Sequence, residues 1–167
     1  MKYDSQKKLM TYENPIDCIE DYIYKYDLDS FRDSVNDLSL LYKGLWDSYN
    51  INVSWDEFNK IINIVSYFDF KKKCKVSKNI YSLISIINEK INLGYFNYSS
   101  KLETVFFKYQ VSVKGQNILT IEQIESFLDV VISECDRFFP VFYLYFFKKQ
   151  DPEYALKTSL IDTHGQA

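Results

Sequence analysis

Histidine occurs once in this sequence, at position 164, and cysteine only at positions 18, 74 and 135. One imidazole is too few for the usual histidine metal sites. No Cys-x-x-Cys pair and no His/Cys/Asp/Glu group with ligand spacing is present, so neither a metal centre nor a cofactor is expected. An odd number of widely spaced cysteines argues against a disulfide framework and fits a reducing, cytoplasmic location. The four glycines are scattered, and none builds a phosphate-cradling loop or a dinucleotide fingerprint. Excess positive charge is missing too: 20 basic side chains stand against 23 acidic ones, a net charge of -3. The chain therefore lacks the global field that collects nucleic acid or anionic lipid. A membrane-length apolar run is also absent, because the longest, residues 138–147, has about half of the roughly 20 residues that a spanning helix needs. The opening MKYDSQKKLM carries positive charge but no apolar stretch after it. Residues 1–13 are thus expected to be a flexible N-terminal tail and not a secretion signal.

Aromatic residues, by contrast, are abundant: 15 Tyr, 13 Phe and 2 Trp make up 18% of 167 residues. That length suits one domain with its own core, and no linker divides it. Asn14 and Pro15 read as cap and first residue of a helix carrying Ile16, Ile19, Ile23 and Tyr26 on one stripe, ending near residues 27–29. Between Phe31 and Phe70 the period changes to two, with Leu38, Leu40 and Tyr42 and then Ile51, Val53 and Trp55 alternating with polar neighbours. Three or four short strands in an antiparallel meander follow from that pattern. Ser77 then caps a second helix with Val76, Ile80, Leu83, Ile84, Ile87 and Ile91 on one face, and Gly94 can close it in the left-handed region. A hairpin comes next, its second strand setting Val105, Phe107, Tyr109, Val111 and Val113 opposite Thr104, Phe106, Lys108, Gln110 and Ser112. Thr120 with Gln123 forms a capping box for a third helix, and Asp151 with Pro152 opens a fourth. Helix, strands, helix, two strands, two helices is an α+β order.

The segments GLWDSYNINVSW (44–55), INEKINLGYF (87–96), VFFKYQV (105–111), ECDRFFPVF (134–142) and the terminal DTHGQA together resemble the YbjN-domain family of bacterial proteins, in its alphaproteobacterial form. The resemblance spans residues 14–167 as a single domain. It implies a fold like that of the type III secretion chaperones, a small twisted antiparallel sheet with helices packed on it. It implies little chemistry, since the family is labelled as sensory-transduction regulators and brings no catalytic residues with it. Gln166 stands where relatives often have an acidic residue, so a charge-dependent role of that tail does not carry over.

Several residues invite a functional reading. Cys135 as a nucleophile needs a base and a group to orient it, yet the one histidine lies at 164 and Cys135 falls in step with Ile124, Leu128, Val131 and Phe138. Core packing is the expectation. Asp136 and Arg137 fall on the polar side of the same helix, with Glu134 in reach of Arg137 as a surface ion pair. Arg137 could instead anchor a partner's carboxylate or a loop of its own sheet. KKKCK (71–75) reads as a solvated basic turn, and the acidic balance of the chain weighs against nucleic acid. FFPVFYLYFF (138–147) is apolar on every side, which demands burial all round or an exposed patch for a partner. Pro140 is expected to bend the helix there or to begin a new segment. Trp46, Tyr49, Trp55, Arg137, Phe139, Phe142 and Tyr145 are accordingly the candidate contact residues. The function expected is that of a noncatalytic cytoplasmic domain that binds protein in a regulatory or chaperone-like role, with a second copy of the chain as one candidate partner. The alternative is a small-molecule or peptide sensor with an aromatic-lined cavity between sheet and helices. Nucleic-acid binding and enzyme activity stand behind both.

Overall fold

A computed structural model describes residues 14–70, 79–116 and 118–163. The elements follow in the order α1 (Pro15–Lys25), β1 (Ser30–Ser34), β2 (Asp37–Lys43), β3 (Ser48–Asp56), β4 (Ile61–Tyr67), α2 (Ile80–Asn88), β5 (Tyr95–Ser99), β6 (Thr104–Ser112), α3 (Ile121–Lys148) and α4 (Pro152–Thr163). The six strands form one antiparallel sheet in the order β1-β2-β3-β4-β6-β5. This is the expected α+β architecture, with the meander built from four strands.

Alternation along the strands decides which face the helices cover. Leu40, Ile51, Ser66, Phe107 and Phe96 lie side by side across the sheet, as do Leu38, Val53, Ile64 and Tyr109. Nearly all of these are buried. α1 packs over β1 to β3, α3 over β4 and β6, α2 over β5, and α4 against α2 and α3, so one helical layer closes one face. Among the described residues, no helix covers the opposite face. Its rows run Leu41–Asn50–Tyr67–Phe106–Asn97, then Ser39–Asn52–Val65–Lys108–Tyr95, then Asp37–Ser54–Asn63–Gln110.

Local signals set most helix ends. The Asn14 side chain accepts the Ile16 N–H at 2.9 Å, Thr120 and Gln123 close their capping box, and the Asp151 carboxylate accepts the Glu153 N–H at 3.0 Å. Two expectations change and a third narrows. Tyr26 belongs to the cap of α1, not to its buried stripe; it is exposed, its ring meets that of Tyr22 at 4.5 Å with the planes tilted, and its hydroxyl donates to Glu125 at 3.4 Å. α2 stops at Asn88, so Gly94 does not close it. With φ +78° Gly94 instead leads into β5, where a Cβ would stand 2.4 Å from the Phe107 ring and 2.8 Å from the Lys108 carbonyl oxygen. Of the two outcomes expected at Pro140, a new segment is ruled out, since α3 continues through it to Lys148. The Ser77 cap, Val76, the basic run 71–75, the tail 1–13, His164 and Gln166 lie outside the described residues.

Candidate functional site

α3 lies across the sheet with its small side chain Cys135 over Ser66 of β4. Both are fully buried, and two small residues allow helix and sheet to approach closely. Burial pushes the Cys135 thiol up to about 12, although the Ser66 hydroxyl pulls the other way. A thiol so placed is a packing element, as its apolar stripe implied. Cys18 is also buried and unpaired, and its pKa is raised by burial as well. Among the described residues, no three His, Cys, Asp or Glu side chains converge as metal ligands, and no helix is long and apolar enough to cross a membrane.

The next residue of α3 does what its polar setting did not announce. Asp136 Oδ1 accepts the Tyr49 hydroxyl at 2.7 Å and the Leu45 N–H at 2.8 Å. One carboxylate thus fastens the tip of the β2–β3 hairpin to the long helix, with charge-assisted bonds. Gly44 makes the approach feasible, because a Cβ there would stand 2.3 Å from the Tyr49 ring and 2.6 Å from Asp136 Oδ1. Burial, and then the neighbouring Asp136 carboxylate, drive the Tyr49 pKa upward, so the phenol stays protonated as a donor. Arg137 turns the other way, to the Lys90 carbonyl at 3.3 Å just beyond α2 and to Glu134 at 3.5 Å. It also lies over the Phe138 ring. Arg137 is therefore tied to a loop of its own fold. Glu134 is half-buried, and desolvation raises its pKa against the pull of Arg137.

The candidate contact residues divide sharply. Tyr49, Trp55, Phe142 and Tyr145 are interior side chains, so in this fold they present almost no surface to a partner. Phe142 sits against Phe68 and Phe96 at 5.7 and 5.1 Å, and Phe68 also meets Tyr49, Phe70 and Phe139. Trp46 remains 58% exposed at the hairpin tip, beside Leu45 at 82%. Phe139 is half-buried and stacks on Tyr143, which is exposed and in turn meets Phe147 at 4.9 Å. Phe139, Tyr143 and Phe147 recur every four residues, so they form one ladder along α3. Phe70 props it from behind, against Phe139 at 5.4 Å and Phe147 at 5.7 Å. The hairpin tip is pinned to Asp136, one turn before the ladder begins. Sequence reasoning missed Leu45, Tyr143 and Asp136; four-residue spacing could have found Tyr143, but nothing local connects Asp136 with a glycine turn so far away in the chain.

Comparison with known proteins agrees with this architecture. Residues 15–144 match the YbjN family, described as a "putative bacterial sensory transduction regulator". The chain belongs to the YbjN family. Among solved structures it is similar to the crystal structure of YbjN from E. coli, described as "a putative transcription regulator", at TM-score 0.51 and 11% identity over 91% of this chain and 96% of that one. At that identity the likeness is one of fold. No curated protein matches the chain. Within the YbjN family match lie both halves of the Asp136 latch and the first two rungs of the aromatic ladder.

Proposed function

We propose that this YbjN domain is a noncatalytic cytoplasmic regulator that acts by binding another protein. The partner docks on the strip formed by Leu45 and Trp46 at the hairpin tip and by Phe139, Tyr143 and Phe147 on α3. The observation that carries this reading is the exposure of large apolar side chains on two elements held together by Asp136. Exposed aromatics on a pinned scaffold lose little conformational freedom on binding, and Trp and Tyr are the usual anchors of protein interfaces. The family's description as a sensory-transduction regulator suits a protein that acts through a partner.

Site-directed photo-crosslinking in the native cell tests the site. A crosslinking residue at position 143 is expected to trap a defined protein, and Trp46→Ala is expected to abolish the adduct while leaving the fold intact. An adduct unaffected by Trp46→Ala, or found equally from an exposed position on β1, would refute this docking site.

A further inference from the structure

The two edges of the sheet are finished differently. At β5 one side chain takes the outward backbone groups of Phe96: its N–H donates to Asn88 Oδ1 at 2.8 Å, and Asn88 Nδ2 donates to its carbonyl at 3.0 Å. Asn88 thus stands in for a neighbouring strand and closes that edge. Among the described residues, β1 has no such substitute. The Leu41 N–H donates to the Asp29 carbonyl at 2.9 Å. In an antiparallel ladder Phe31 and Ser39 are then the next bonded pair, so Ser30 and Arg32 turn their N–H and C=O groups outward. The register shift after Arg32 confines this open stretch to residues 30–32. Large exposed rings flank it on both sides. Phe31, 69% exposed, lies on the uncovered face of the sheet, in the row of Ser39 and Asn52. On α1, Asp17, Glu20 and Tyr24 recur at three- and four-residue spacing along one stripe. Arg32 bonds the first two, so that stripe leans over β1 and carries Tyr24, 88% exposed, to the side of its edge. Charge there is mostly negative. Asp29 before β1 and Asp33 within it join Asp17 and Glu20 around the one guanidinium of Arg32, while the Lys25 ammonium lies over the Tyr26 ring.

We propose that the edge of β1 takes up an extended segment of another protein as an added strand, with lysine or arginine on the side towards α1 and apolar residues on the side towards Phe31. The outward N–H and C=O groups of Ser30 and Arg32 bond its backbone, which is how strand addition gains affinity. Successive side chains of such a segment fall on opposite faces of the sheet. One row passes beside Tyr24 and Glu20, where a cation meets a ring and a carboxylate. The other row packs against Phe31 as a cross-strand neighbour. A segment in which apolar and basic residues alternate satisfies both rows.

A synthetic peptide of alternating valine and lysine, added to the full chain and followed by amide hydrogen exchange, tests this. At about ten times its Kd the peptide is expected to slow exchange at Ser30 and Arg32 about tenfold, with the amides of β5 unchanged. N-methylation of alternate peptide residues removes the donors of one phase only. One of the two N-methylated peptides is therefore expected to lose the effect and the other to keep it. Ser30→Pro deletes an outward N–H without breaking a bond between β1 and β2, and is expected to abolish binding with thermal unfolding unchanged. Tyr24→Ala and Phe31→Ser are each expected to weaken the peptide several-fold, as is glutamate in place of its lysines. Trp46→Ala leaves the effect unchanged, which separates this edge from the docking strip. No protection at millimolar peptide, equal protection by both N-methylated peptides, or equal binding of the glutamate version overturns the proposal. Ser30 and Arg32 amides already slow in the free chain at every concentration would assign the edge to the protein's own residues. Slowing that grows with protein concentration would assign it to a second copy, and either result overturns the proposal equally.

Discussion

Cys135 shows how a single residue can look reactive in sequence and be inert in structure. Beside Asp136 and Arg137 it resembles part of a catalytic cluster, yet its thiol faces Ser66 inside the core. Its pKa is raised in the fold, so its contribution to stability is complete below the unfolded thiol value of about 8.5. That contribution is lost as pH climbs towards about 12. Urea unfolding is therefore expected to show a loss of about 1 to 2 kcal/mol from this thiol between pH 7.5 and pH 10, and Cys135→Ala should flatten the profile over that range. Cys18 adds in the same direction. A disulfide reagent at neutral pH is expected to leave Cys135 unmodified until the protein unfolds. Its helical phase made this packing legible from sequence. The neighbouring role of Asp136 was not, because Leu45 and Tyr49 lie 91 and 87 residues away and only the folded chain brings them to one carboxylate.

At the scale of elements, local chemistry predicted existence better than attachment. The capping box at Thr120 and the Ile80–Leu83–Ile84–Ile87 stripe act over one or two turns, and they hold. Gly94 was misassigned because a left-handed glycine reads alike after a helix and before a strand; the Phe107 ring, not α2, requires it. Attachment rests on long-range polar clasps. Arg32 of β1 pairs with Asp17 at 2.9 Å and Glu20 at 2.7 Å on α1, and donates to the Ser34 carbonyl at 2.7 Å. Exposed ion pairs are individually weak, but Arg32 unites several bonds. Arg32→Ala is expected to cost about 1 to 2 kcal/mol in chemical unfolding and to speed hydrogen exchange in the β1–β2 hairpin. Asp136→Ala removes the acceptor of the Tyr49 hydroxyl and the Leu45 N–H. It should cost about 1 to 3 kcal/mol, with the Leu45 amide exchanging faster while the sheet centre stays protected.

For the whole molecule, the aromatic run 138–147 separates into an inner and an outer surface. Phe142 belongs to the core, and Phe142→Ala is expected to cost about 3 to 5 kcal/mol in denaturant unfolding. Tyr143, the adjacent residue, is 42% exposed. Tyr143→Ser should change stability by less than about 1 kcal/mol while removing the middle rung of the docking ladder. Composition could announce that these residues needed cover, but not which cover each would receive, because that follows from where α4 and Phe70 come to rest. One feature of α3 bears on how the molecule holds together. Pro140 has no N–H to offer the Asp136 carbonyl one turn earlier, so the helical ladder lacks a rung. That gap falls in the turn whose side chains fasten the β2–β3 tip and the exit of α2. The turn of α3 that lacks a backbone bond is thus the same turn that side chains hold to the rest of the fold, so tertiary contacts stand in there for the missing helical one.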